Sequence, residues 1–104
     1  MLKVRNMEGS SGREVANQFI LDGNNEKCFQ SYESVCAIWE RSKRKLTLGC
    51  DCLYSRTTAK YLYKFIKEET PLCGVDRKVI LEAMNKGELD FDGYSIVYDD
   101  RLVW

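Results

Sequence analysis

The sequence contains no histidine. That absence removes the commonest general base at neutral pH, every Ser–His or Cys–His pair, and the zinc sites that mix cysteine with histidine. Net charge is also missing: sixteen acids balance sixteen bases, and the pI is near 6.3. A dedicated DNA binder usually carries a clear basic excess, because phosphate neutralisation supplies much of its affinity, so the overall charge leans toward a protein partner. No run approaches the roughly 20 apolar residues that span a bilayer. The opening "MLKVRNMEGSSG" lacks the apolar stretch of a secretory signal. The expectation is a cytoplasmic chain without membrane contact, its cysteines held as thiols.

What is present fits an ordinary folded domain. Hydrophobic residues make up 44% and charged residues 31% of the 104, enough apolar surface for one core and too little chain for two. A single domain over 1–104 is expected. Five cysteines occur, at Cys28, Cys36, Cys50, Cys52 and Cys73. "CDC" at 50–52 is tighter than the C-x2-C knuckle of a zinc ribbon, and no second pair follows it. Cys28, Cys36 and Cys73 stand among apolar neighbours, as small buried hydrophobes do. The five read as structural, with no metal and no cofactor.

Local pattern gives an α+β class: a small antiparallel, curled sheet packed against two short helices, at about 55–68 and 75–86. "LKV" at 2–4 reads as a short strand and "NMEGSSGR" as a loop. Residues 14–21 alternate as a strand, with Val15, Asn17, Phe19 and Leu21 on one face and Ala16, Gln18 and Ile20 on the other. "DGNNE" at 22–26 is a turn signal, so 14–32 reads as a hairpin. Strands are expected at 34–40 and, after the charged turn "RSKRK", at "LTLGC". From Ser55, a plain N-cap residue, the period becomes helical, and Ala59, Leu62 and Ile66 share a face flanked by Phe65. "TPLCG" stops that helix. The second carries Val79, Ile80, Ala83 and Met84 as its stripe and ends at Gly87. The tail "GYSIVYDDRLVW" reads as a strand, an Asp-Asp turn and a last short strand.

Two surfaces stand out as candidates. On the first helix Arg56, Lys60, Tyr63 and Lys67 fall within roughly 60° of one another, with Lys64 at the margin. Basic, hydroxyl and aromatic groups together are those that contact phosphates and stack on bases. The plainer alternative is a solvated helix back whose lysine stems cover apolar edges. In the tail, acids interleave with aromatics, and Tyr94, Tyr98, Asp99, Asp100 and Trp104 form a candidate partner-binding set. Such a mixture anchors protein interfaces and imitates the charge of DNA; its plainer reading is a hairpin with aromatic cross-strand pairs. "DFD" and "DD" fit no calcium loop, and nothing in the sequence assembles a catalytic set, so no enzyme is expected.

Three stretches carry a resemblance: "VANQF" at 15–19, "FQSY" at 29–32 and "YSRTTAKY" at 54–61. Together they resemble a family of small uncharacterised domains encoded largely by bacteriophages. The likeness covers about residues 3–67, and the helix and hairpin at 72–104 read as an extension of this chain's own. The resemblance implies no catalytic residue. It implies a small accessory protein in the cytoplasm of a host bacterial cell, acting in the manner of an anti-CRISPR: a host-defence inhibitor that binds and blocks a host protein such as a defence nuclease. The runner-up is a DNA- or RNA-binding accessory protein using the basic helix.

Overall fold

Apolar residues recur at strand spacing in several short segments of this chain, and the strands they form make one sheet. A computed structural model describes residues 3–9 and 11–102. In chain order the elements are β1 (Lys3–Glu8), β2 (Glu14–Asp22), β3 (Glu26–Ser31), β4 (Ser34–Glu40), β5 (Lys45–Leu48), α1 (Arg56–Glu69), α2 (Arg77–Lys86), β6 (Glu88–Phe91) and β7 (Tyr94–Tyr98). The fold is α+β. The sheet is 7-stranded, in the order β1-β2-β3-β4-β5-β7-β6. Every neighbouring pair is antiparallel except β5 and β7, which run parallel.

Both helices lie on one face of this sheet. Ser55 caps α1 by accepting from the Thr58 N–H at 3.1 Å. At the far end Thr70 donates its hydroxyl to the Ile66 carbonyl, and Pro71 follows. Asp76 caps α2, and Gly87 closes it in the left-handed conformation at φ 83°. Ile20, Phe29, Ala37, Trp39, Leu46, Leu48 and Ile96 meet Leu62, Phe65, Ile66, Ile80 and Ala83 in one buried cluster. Phe29 stacks on Phe65 with ring centroids 5.9 Å apart. The helix dipole disfavours an acid at the end of α1. Glu69 is nonetheless held there, bonded to Arg5 at 2.9 Å and Lys27 at 2.8 Å. Arg5 also grips Asp22 at 2.7 Å, and that hydrogen bond foremost lowers the Asp22 pKa.

Several expectations are corrected. Asn6, Met7 and Glu8 continue β1 rather than forming a loop, because the long β2 offers them a partner and Met7 is buried in the core. The two faces of β2 do not alternate strictly. Asn17 takes the left-handed conformation at φ 65°, which turns Val15 toward the core on the same side as Gln18 and Ile20. Phe19 and Leu21 remain on the opposite face. The tail hairpin turns at Asp92 and Gly93, with φ 52° and 83°, so a strand unseen in the sequence, β6, precedes β7. Asp99 and Asp100 lie beyond β7; where the last strand was expected, Arg101 is in a turn and Leu102 is irregular, and residues 103–104 lie outside the described part. Cys73 is exposed, whereas Cys52 is buried. Among the described residues no helix is long and apolar enough to cross a membrane.

Candidate functional site

Three stretches that lie far apart in the sequence meet at the N-terminal end of α1. Gln18 on β2 sits opposite Ser31 on β3. The Ser31 and Thr58 hydroxyls are 2.9 Å apart, and the Ser55 hydroxyl donates to Thr58 Oγ1 at 3.1 Å. Tyr32 donates its N–H to the Asn17 carbonyl at 2.7 Å. Both residues of that bond hold left-handed backbone, Tyr32 at φ 55° and Asn17 at φ 65°. Such conformations cost free energy in a side-chain-bearing residue and persist only where neighbours enforce them.

Beside this cluster opens a pocket of about 70 Å³, lined by Ser31, Tyr32, Ser34, Cys36, Asp51, Tyr54 and Thr58. Ser34 donates to Asp51 Oδ2 at 2.8 Å. Tyr32 and Tyr54 stand at the pocket with 51% and 79% of their surface in solvent. None of these residues belongs to the two candidate sets read from the sequence. A signal for part of the cluster was available. Gln18, Ser31 and Thr58 are polar residues in phase with the buried Ile20, Phe29 and Leu62.

Gln18 is fully buried, and neither atom of its amide has a hydrogen-bond partner within the protein. A buried polar group left unpaired costs about 1–3 kcal/mol. Gln18→Met keeps the side-chain length and removes that cost. It is expected to raise the unfolding free energy by at least about 1 kcal/mol, read as a higher denaturant midpoint at unchanged slope. A lower midpoint would mean that the amide is satisfied in solution.

The residues expected at the basic face divide. Arg56, Lys60 and Lys67 are exposed along α1. Lys64 is drawn to Glu68 at 3.3 Å and lies toward β1. Tyr63 is half-buried beside Arg77, and burial foremost raises its pKa. A broad groove of about 720 Å³ runs along this side between α1 and the start of α2, with Arg56, Lys60 and Arg77 over Leu53, Ala59 and Tyr63.

The tail set divides too. Tyr94 is turned onto Trp39, with ring centroids 5.7 Å apart, and Arg44 covers its ring at 4.5 Å. Tyr98 lies at the other end of β7, partly buried against the core. Asp99 accepts the Arg101 N–H at 2.9 Å in the following turn, and Asp100 is exposed. Burial foremost raises the Tyr98 pKa. Trp104 lies outside the described residues.

A further surface was not foreseen. The sheet face away from the helices carries a transverse row of Val4, Leu21, Cys28, Ile38, Thr47 and Val97, in register from β1 to β7. Phe19 stands in the next row, and Val4 is 64% exposed. At one margin lie Glu26, Glu40 and Lys45; Glu88 and Asp90 close the far edge.

These features define a small α+β domain with a one-sided sheet, a polar pocket and a basic groove. The chain belongs to a family of unknown function, DUF8033, whose match spans residues 2–82. That span ends inside α2, leaving β6 and β7 beyond it. No curated protein and no solved structure matches the chain.

Proposed function

We propose that this chain is a non-enzymatic binding module whose partner is another protein. In the phage-associated setting that its three quoted stretches imply, the partner is a host bacterial protein such as a defence nuclease, engaged in the cytoplasm and thereby blocked. The observation that carries the reading is the mostly apolar row across the sheet face away from the helices, in which Val4 is exposed and Leu21, Ile38 and Val97 are half-buried. Exposed apolar patches rimmed by polar groups mark protein interfaces. Among the described residues Glu26, Glu88 and Asp90 make no ion pair, so the rim favours a partner with basic residues around its own apolar patch.

The test uses the protein as bait in bacterial lysate, with and without nuclease, beside a Leu21→Lys, Ile38→Lys variant checked for folding. A single host protein recovered in stoichiometric amount, resistant to nuclease and lost with the variant, is the expected result. Buried anchors of this kind contribute about 2 kcal/mol or more, so loss of one alone should weaken binding roughly thirtyfold and the double variant should weaken it further. Recovery that nuclease abolishes would replace this reading with the second one, nucleic acid binding in the groove beside Arg56, Lys60 and Arg77. In that case Lys60→Glu with Lys67→Glu abolishes binding, and affinity falls steeply with salt.

A further inference from the structure

We infer that the pocket between Tyr32, Tyr54 and Asp51 is a receptor for one cationic side chain, an arginine or lysine presented by a protein. The inference rests on reading the chain as a protein-binding module, but it concerns a different surface from the uncovered sheet face.

The lining chemistry selects the charge. Among the described residues Asp51 supplies the one full charge in the pocket wall, and it makes no ion pair with any of them. Its Oδ2 already accepts from Ser34, which fixes the carboxylate and leaves acceptor capacity free. An anion would meet this carboxylate field and is excluded. The N-terminus of α1 opposes a cation, but only with roughly half a unit of charge against the full charge of Asp51. Part of that terminal field is already answered by the Ser55 cap.

The aromatic rings select the kind of cation. Large hydrophobic side chains seldom stand free in this molecule, yet Tyr32 and Tyr54 do so at the same pocket. Tyr rings flanking a cation attract it through the negative π-face, and a nearby carboxylate completes the site. Tyr32 reaches its place only through left-handed backbone, held by the bond to Asn17 and by Gln30 Nε2 donating to the Tyr32 carbonyl at 2.7 Å. Strain maintained by two hydrogen bonds at a pocket wall is the mark of a positioned side chain.

Size selects the occupant. About 70 Å³ admits an ammonium or guanidinium head and falls well below the roughly 300 Å³ at which ordinary small-molecule sites begin. A nucleotide therefore does not enter, whereas the tip of a side chain does, with its stem lying along the exposed Tyr54 ring.

The experiment is a titration of the full chain, labelled with nitrogen-15, with N-acetyl-arginine amide and N-acetyl-lysine amide. N-acetyl-glutamine amide serves as the neutral control. We expect saturable shifts confined to the amides of residues 31–36 and 51–58, with a millimolar dissociation constant for at least one cation and none for the control. Asp51→Asn removes the charge and should weaken binding roughly tenfold, as loss of a charge-assisted hydrogen bond does. Tyr54→Ala, at a side chain so exposed that the fold tolerates it, should weaken binding roughly threefold or more. Lys60→Gln, outside the pocket, should change nothing. No saturable shift at tens of millimolar, equal binding of the neutral control, or unchanged affinity in both Asp51→Asn and Tyr54→Ala would each overturn the inference. None of these outcomes depends on whether the sheet face binds a partner.

Discussion

Ile96→Ala is expected to lower the unfolding free energy by about 2–5 kcal/mol, the range for truncating a buried isoleucine. Against a total near 5–15 kcal/mol for a domain of this kind, that is enough to leave part of the population unfolded at moderate temperature. Ile96 is fully buried and lies in register between Leu46 on β5 and Leu89 on β6. It also lies outside the span of the family match, so the variant asks whether the C-terminal hairpin is an appendage or part of the core. The sheet order answers in advance. β7 is the hydrogen-bonded neighbour of β5, and β5 carries Leu46 and Leu48 into the central cluster. Asp90→Ala, on the exposed side of the same hairpin, should stay within about 0.5 kcal/mol of the parent. A thermal midpoint for Ile96→Ala within a few degrees of the parent, against an expected fall of at least about 8 °C, would show the hairpin to be dispensable.

How far the fold was legible follows from the range of each signal. Short-range chemistry was clear: Ser55 caps α1, Gly87 stops α2, and strands stand at 14–22, 26–31 and 34–40. The Asp92–Gly93 turn was equally local and could have been read, since a left-handed pair suits a tight hairpin. The acids at 99–100 drew attention instead. The parallel pairing of β5 with β7 was not legible, because no periodicity within either strand encodes its neighbour across two helices. Nor was the left-handed Asn17, whose conformation is set by the backbone bond from Tyr32. The candidate pocket failed to emerge for the same reason. Ser31, Asp51 and Tyr54 are ordinary in their own segments, and only the packing of α1 on β3 brings them together. Charge and aromatic content, by contrast, can be read residue by residue, and they pointed to the basic helix and the tail.

The second large effect is a collapse of stability above pH 9. Cys28, Cys36 and Cys52 are fully shielded from solvent, and burial foremost raises each thiol above its ordinary value of 9.0. Cys36 is pushed up to about 11 and Cys52 to about 12, while Cys28, facing Glu26 and Glu40, is raised as well. The folded chain therefore keeps three protons that the unfolded chain releases once the pH passes 9. Because the folded state then binds more protons, stability is full below that point and falls as the pH rises toward the folded values. Each thiol contributes a slope of about 1.4 kcal/mol per pH unit, so three together remove about 4 kcal/mol per unit in that window. The expected result, under reducing conditions, is a thermal midpoint that is level from pH 7 to about 8.5 and drops steeply between about 9.5 and 11. Replacing the three thiols by alanine keeps small apolar side chains in place and should flatten the drop by most of that amount, whatever it does to stability at neutral pH. An equally steep fall in the triple variant would assign the alkaline transition to the lysines and tyrosines instead, and would mean that the three thiols ionise at nearly the same pH in the folded and the unfolded chain.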